Sequence, residues 1–309
     1  MKVALVFPGQ GAQSVGMMNA YGDLPVVRNT FDEASEVLGR DLWQLAAKGP
    51  PEVLAQTVNT QPLMLTAGAA VYRAWLERGG PEPSLVAGHS LGEYTALVAS
   101  GVLRFKDAVA LVQFRAHAMQ DAVPVGEGAM AALLGLDDDA VRAACGESAE
   151  GEVVETANFN APGQVVIAGH TAAVKRAVVI AKARGAKHTV VLPVSAPFHC
   201  GLMASAADRL RAKLNDVRFS EPEIRILHNA DVASHDAPAK IKEALVRQAC
   251  SPVRWVELVR EMVQQSVTHV FECGPGKVLW PLKKRIDPSL QGAALVDLSS
   301  LDQAISACR

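Results

Sequence analysis

Apolar positions along the chain fall into short unbroken runs that end in turns, and these alternate with stretches repeating every three to four residues. Residues 3–7 (VALVF) form the first such run and stop at Pro8-Gly9-Gln10-Gly11-Ala12-Gln13. An unbroken apolar run of this length predicts a strand buried on both faces, delivering a loop to the C-terminal edge of a parallel sheet. Residues 61–75 (QPLMLTAGAAVYRAW) are helical in period, with Arg73 and Glu77 spaced for a solvent face. A short apolar run at 84–87 leads into Gly88-His89-Ser90-Leu91-Gly92, and an Ala-rich helix is expected over 93–100, closed by Gly101. Asp107 is expected to cap a helix over 108–120 that carries Arg115. Strand and helix therefore alternate, the pattern of a layered α/β domain.

The pattern changes at 123–128 (VPVGEG), where Pro and Gly mark a junction. Beyond it the chain predicts a strand at 130–134, a helix after the acidic cluster at 137–139, strands at 153–158 and 164–169 around a turn at 160–163, a helix over 171–184 and a strand at 187–193. The order β-α-β-β-α-β is that of a ferredoxin-like unit. The expected organisation is a large hydrolase-like part with a central, mostly parallel sheet, built from residues 1–127 and 195–309, and an inserted ferredoxin-like part at 128–194. An insert closing over one side of the larger part would form a cleft, where small-molecule sites tend to lie. The last third predicts helices at 203–214, 241–248 and 252–265, and strands at 223–228 and 268–273. The second of these strands runs into Gly274-Pro275-Gly276.

Composition narrows the class. The 309 residues are 50% hydrophobic and 20% charged, enough for a full core. A formal net charge of -2 argues against bulk nucleic-acid binding. The five cysteines (Cys145, Cys200, Cys250, Cys273, Cys308) include no close CxxC pair, so neither a zinc cluster nor a disulfide framework is expected, and a reducing compartment fits better. The first apolar run is too short for a signal sequence, and no stretch approaches the roughly 18 apolar residues that span a bilayer. The expectation is a cytoplasmic protein without membrane or nucleic-acid partners.

The chemistry gathers at residues 88–92. GxSxG between an apolar strand and a helix is a nucleophile elbow, in which small flanking residues let a strained turn lift the serine to a helix N-terminus. Ser90 needs a base, because a serine hydroxyl is a weak nucleophile at neutral pH. Among eight histidines, His199 follows a strand end and Pro197, as a base offered from a loop would. His228 at a strand end is a rival, His117 lies inside a helix, and His89 neighbours the serine but points elsewhere from a tight turn. The group that orients the base stays open: Asp231 and Glu272 sit near strand ends, and a backbone carbonyl could serve as well. The Gln10 loop and the Ser90 elbow are expected on adjacent strands, where a backbone N–H from each could form an oxyanion hole. Arg115 on an otherwise apolar helix is either a buried guanidinium that needs an anionic partner or an arginine reaching the surface. The spacing GQGAQS does not supply GxGxxG, which argues against a dinucleotide loop.

Together these stretches carry a resemblance. FPGQGAQ at 7–13, NTQP at 59–62, AGHSLGEYTAL at 87–97, Arg115 with Met119 and Gln120, NFNAPGQVVIAG at 158–169, SAPFH ending at His199, LVRQ at 245–248 and GPGKVL at 274–279 resemble the bacterial malonyl-CoA:acyl-carrier-protein transacylases over almost the whole chain. The resemblance implies a ping-pong transfer of malonyl from malonyl-CoA to the phosphopantetheine thiol of an acidic acyl carrier protein in fatty-acid synthesis, by a monomer with no bound cofactor and no metal. It implies Ser90 as nucleophile, His199 as base, the main-chain carbonyl of Gln248 as the histidine's orienter, Arg115 as the partner of the malonyl carboxylate, and the amides of Gln10 and Leu91 as oxyanion donors. Asn160 lies in a matching segment without an assigned step. Phe198, where many members have a small polar residue, and Trp280-Pro281, expected on a loop-to-helix junction near the cleft, depart from the usual pattern. Lys182, Arg184, Lys187, Lys277, Lys283, Lys284 and Arg285 are candidates for steering the acidic carrier, the last three expected on a solvated face. An α/β hydrolase with a conventional acid, a non-catalytic carrier-binding module, and a malonyl transferase serving polyketide synthesis or malonate metabolism, where only the acceptor differs, are the rival readings.

Overall fold

The computed structural model describes residues 1–22 and 24–309. In chain order, β1 (Val3–Phe7) is followed by helices α1 (Pro25–Leu38), α2 (Leu42–Lys48), α3 (Pro51–Leu54) and α4 (Thr57–Glu77), then β2 (Leu85–Gly88), α5 (Gly92–Ala99) and α6 (Phe105–Asp121). Next come β3 (Gly128–Leu134), α7 (Asp138–Ser148), β4 (Val154–Ala161), β5 (Gln164–His170), α8 (Thr171–Ala183) and β6 (His188–Val191). The chain closes with α9 (Ala204–Asn215), β7 (Arg225–Leu227), α10 (Pro238–Cys250), α11 (Trp255–Gln264), β8 (His269–Cys273), α12 (Leu279–Ile286), β9 (Gln291–Leu295) and α13 (Leu298–Ala307). The first three helices are ones the sequence pattern does not name. α6 starts at Phe105 without a side-chain cap, so Asp107 sits within its first turn, where a carboxylate still favours the positive helix end.

β7-β2-β1-β8-β9 form a five-stranded sheet in which every neighbouring pair is parallel. The alternation along β1 divides the core. Val3, Leu5 and Phe7 face a large apolar layer drawn from α1, α4, α5, α6, α9 and α10, whereas Ala4 and Val6 face a second layer with Trp255, Leu258 and Met262 of α11 and Leu279 of α12. Register keeps the faces consistent, because Ala4 pairs with Leu85 and Val6 with Ala87. A strand covered on both sides must be apolar at every position, which is why VALVF reads as a run.

The second sheet is antiparallel, in the order β4-β5-β3-β6, with α7 and α8 packed on it over a separate apolar cluster. This is the ferredoxin-like arrangement, and its strands cover the expected insert. It is tied to the larger part by main-chain bonds: Phe159 N–H donates to the Val253 carbonyl and Val253 N–H to the Ala157 carbonyl, each at 2.9 Å. A mixed cluster containing Met119, Met130, Ala157, Phe198 and Met203 fills the junction. Among the described residues no helix is long and apolar enough to cross a membrane.

α4 runs through Pro62, which cannot donate to the carbonyl one turn earlier. That carbonyl, on Val58, accepts from the Arg40 guanidinium at 3.3 Å, so the backbone group stays satisfied and the helix continues to carry Gln61 inward.

Two glycines let β1, β2 and α5 meet. A Cβ on Gly92 would lie 2.0 Å from the Phe7 carbonyl oxygen, and one on Gly88 would lie 1.9 Å from the Gly92 carbonyl carbon. Both clashes are with backbone, which no side-chain rotation relieves. Gly92→Ala is therefore expected to destabilise the fold by about 3 kcal/mol or more. A chemical-denaturation curve matching wild type would contradict this account of the elbow.

Candidate active site

The elbow follows from that packing. β1 and β2 are adjacent and in register, Phe7 opposite Gly88, so the loops after them emerge side by side. Ser90 adopts a left-handed backbone with φ of 51°, an uncommon conformation for a non-glycine residue. It is held there by its own N–H, which donates to Asn229 Oδ1 at 2.7 Å, while Asn229 Nδ2 donates to the Gly88 carbonyl at 2.7 Å. One asparagine thus clamps both sides of the turn.

Ser90 Oγ lies 2.7 Å from His199 Nε2, near enough to donate its proton. His199 is itself left-handed, with φ of 63°, and follows the Ala196-Pro197-Phe198 segment packed at the junction. Its Nδ1–H donates to the main-chain carbonyl of Gln248 at 2.9 Å. Gln248 lies in the last turn of α10, where carbonyls have no partner within the helix and the dipole is negative. A helix end therefore supplies the acceptor that a triad acid would otherwise provide, and fixes the tautomer with a lone pair on Nε2. Burial, and then the nearby Arg115 cation, push the His199 imidazole down to about 3, with the Gln248 carbonyl opposing. The ring is neutral, and so able to accept a proton, across the physiological range.

The two readings of Arg115 are resolved in favour of burial: it is only 2% exposed. Nη1 donates to Gln61 Oε1 at 2.7 Å and Nη2 to Gln248 Oε1 at 3.0 Å, and the guanidinium stacks over the Tyr94 ring at 5.2 Å. Nη2 is 3.4 Å from Ser90 Oγ, and Nε has no acceptor. No carboxylate lies within ion-pair distance among the described residues, so the charge is solvated by two amide oxygens, the serine hydroxyl and a ring face. Burial lowers the guanidinium from its ordinary value, with Tyr94 and Glu93 opposing. A planar cation so placed can accept a carboxylate in bidentate fashion.

Gln10 lies beside the serine, its side-chain Oε1 accepting from the Thr57 hydroxyl at 2.8 Å. The Gln10 and Leu91 amides make no hydrogen bond among the described residues, and both residues line a small cavity with Gln61, Ser90, Arg115, Met119 and Phe198. A second cavity of about 110 Å³ opens from Ser90 between the two sheets, past His89, Met130, Leu192, Val194 and Phe198. The six residues singled out from the sequence, Gln10, Ser90, Leu91, Arg115, His199 and Gln248, therefore converge. The arrangement can activate a hydroxyl, hold an oxyanion and bind an acid.

Other expectations fall elsewhere. Glu272 accepts from the backbone N–H groups of Val278, Leu279 and Trp280 at 2.8–2.9 Å, capping α12, and Asp231 pairs with His235 and Arg247. Neither carboxylate touches His199. His228 is buried with Nδ1 on Glu93, His117 is exposed on α6, and His89 bonds Asn160 Oδ1 at 2.8 Å. Lys283 is not on a solvated face: it is 2% exposed, donates to the Leu290 carbonyl and lies 4.1 Å from the Trp280 ring. Trp280 and Pro281 lie in the first turn of α12, at the loop-to-helix junction expected of them, but line neither cavity at the serine. The sequence reading missed Asn229 and Glu93. Asn229 had no local signal, and Glu93 stood in a quoted motif without a role.

Residues 4–279 match the family described as the acyl transferase domain. The chain is 51% identical over 304 residues to the malonyl CoA-acyl carrier protein transacylase of Salmonella typhimurium, covering 98% of each protein. Among solved structures it superposes with a TM-score of 0.98 on the acyl-carrier-protein S-malonyltransferase of Burkholderia pseudomallei 1710b, at 59% identity, covering 99% of this chain and 100% of that one. A TM-score of 0.98 at 49% identity, with 99% and 100% coverage, relates it to a malonyl-transacylase solved in complex with a type II PKS acyl-carrier protein.

Because His199 stays neutral down to about 3, labelling of Ser90 by a fluorophosphonate should be flat between about pH 8 and about pH 5 and fall only in more acidic solution. In Arg115→Ala the cation that disfavours the imidazolium is gone, so the fall moves to higher pH. A wild-type profile centred near 6.5, or an acid limb that stays put in the variant, would contradict the assignment.

Proposed function

The chain belongs to the acyl transferase domain family, and on that premise we propose that Ser90 carries the malonyl group between malonyl-CoA and acyl carrier protein. The overall reaction is malonyl transfer to acyl carrier protein in fatty-acid synthesis. The observation that carries the residue assignment is one geometry: a buried guanidinium without a carboxylate partner lies 3.4 Å from a serine hydroxyl that is itself 2.7 Å from a neutral imidazole.

In this reading Ser90 Oγ attacks the thioester carbonyl as His199 Nε2 takes its proton. Charge gathers on the carbonyl oxygen, which the free amides of Gln10 and Leu91 receive as hydrogen-bond donors. His199 returns the proton to the departing coenzyme A thiolate, and a malonyl-serine ester remains. The phosphopantetheine thiol then enters the outer cavity, loses its proton to His199 and attacks the ester, and Ser90 recovers its proton as the malonyl thioester leaves. The chain uses no bound cofactor in either half, and it works as a cytoplasmic monomer.

Arg115 selects the acyl group. A malonyl carboxylate supplies the anion that amides only approximate, whereas an acetyl group leaves the cation as it was. Phe198 lines both cavities and limits the space beside the ester, consistent with exclusion of a branched acyl group, although a pocket discriminates one methyl by only about 1–3 kcal/mol. The exposed Lys182, Arg184, Lys187, Lys277, Lys284 and Arg285 remain as candidates for steering an acidic carrier.

Two outcomes test this. Incubation with malonyl-CoA should leave a malonyl adduct on the Ser90 peptide, removed when acyl carrier protein is added; active enzyme without that adduct would refute the covalent route. Arg115→Ala should lower malonyl transfer by about thirtyfold, corresponding to about 2 kcal/mol of lost ion pairing, while acetyl transfer is spared or rises. Equal losses on both donors would remove Arg115 from selection.

A further inference from the structure

Glu93 is a carboxylate with no exposure at all, three residues after the nucleophile on α5, and its two oxygens are shared among three donors. Oε1 accepts from His228 Nδ1 at 2.8 Å. Oε2 accepts from the Asn229 backbone N–H at 3.0 Å and from Gln248 Nε2 at 2.8 Å. Each of the last two donors continues to the site. Asn229 clamps the Ser90 N–H and the Gly88 carbonyl. Gln248 also gives Nε2 to the Ser90 carbonyl at 2.9 Å, holds Arg115 through Oε1, and offers its main-chain carbonyl to His199.

The orientation of the Gln248 amide follows from charge. Its oxygen must face the Arg115 cation, and its NH₂ must face an acceptor; a Glu93 carboxylate oxygen supplies that acceptor. An amide of the same shape could keep Asn229 and Gln248 on its one oxygen only by turning its NH₂ to His228, whose Nδ1 would then have to accept. The carboxylate is thus the common anchor of two arms, one ending on the serine turn and the other on the histidine and the arginine.

We propose that Glu93 is a positioning residue for acyl transfer, orienting Ser90 through Asn229 and orienting His199 and Arg115 through Gln248. It takes up, at one remove, the role that a triad acid plays by direct contact. The inference rests on the reading of Ser90, His199 and Arg115 given above. Its energetic leverage comes from geometry: misplacement of a nucleophile and base by about an ångström can cost about a hundredfold in rate.

The test is the rate constant for forming malonyl-Ser90 in single-turnover experiments with the full chain, normalised to folded protein by circular dichroism. Glu93→Ala should slow acylation by about a hundredfold while the half-saturating malonyl-CoA concentration changes by less than about threefold. Glu93→Gln, which keeps shape and one acceptor oxygen, should lose about tenfold and serves where the alanine variant does not fold. In a Gln248→Ala background, the same Glu93 substitution should cost much less than it does alone, because one arm is already cut. Fluorophosphonate labelling of Ser90 should follow the same order, and it needs no malonyl group. A lowered melting temperature with unchanged acylation and labelling rates of the folded fraction, or fully additive losses in the double variant, would overturn the proposal. Wild-type protein that labels with fluorophosphonate yet forms no malonyl-Ser90 would instead overturn the substrate reading, with the labelling series still deciding the role of Glu93.

Discussion

A guanidinium enclosed in protein beside a serine hydroxyl imposes conditions on everything around it. Arg115 cannot shed its charge, so the fold must surround it with acceptors, and it does so with the amide oxygens of Gln61 and Gln248 and the face of Tyr94. Those groups come from α4, α10 and α5, so solvating one cation ties together three helices of the same layer. The same charge acts on His199, adding to burial in keeping the imidazole neutral. The unpaired cation beside the serine and the neutral state of the imidazole therefore have a common electrostatic origin.

The orienting group of the histidine shows how a fold can replace a missing side chain. A buried carboxylate in direct contact with His199 would sit close to Arg115 and pair with it. A carbonyl at the C-terminal end of α10 carries only partial charge, accepts the Nδ1 proton, and leaves the arginine without an ion-pair partner. The carboxylate that is present, Glu93, reaches the arginine through an intervening amide. In this arrangement a carboxylate is linked to the site without lying against the guanidinium itself.

The two sheets divide the work. The parallel sheet ends in the loops that bear Gln10 and Ser90, as expected where ligands bind beyond the carboxyl ends of strands. The antiparallel sheet contributes apolar lining such as Met130 and brings Asn160 to His89. An isolated backbone bridge between β4 and Val253 joins the two parts at the junction where Phe198 and His199 lie.

Much of this was legible along the chain wherever neighbours in sequence make the structure. The alternation of buried runs and helical periods predicts both sheets, and the β-α-β-β-α-β order predicts the antiparallel one, because strand and helix patterns are local. GHSLG and the turn chemistry around Pro197 likewise point to Ser90 and His199 from a few adjacent residues. What the sequence could not decide is which distant polar groups meet in the interior. Asn229 reaches Ser90 across 139 positions and Glu93 reaches Gln248 across 155, and no periodicity encodes such pairings. Lys283 looked like part of a solvated basic run, yet Leu290 and Trp280 enclose it, since burial of a single polar side chain depends on what packs above it. Whether Arg115 faced solvent or the serine, and whether Glu272 or Asp231 served the histidine, were questions of three-dimensional proximity. Packing of α6, α10 and α12 against the sheet answered them.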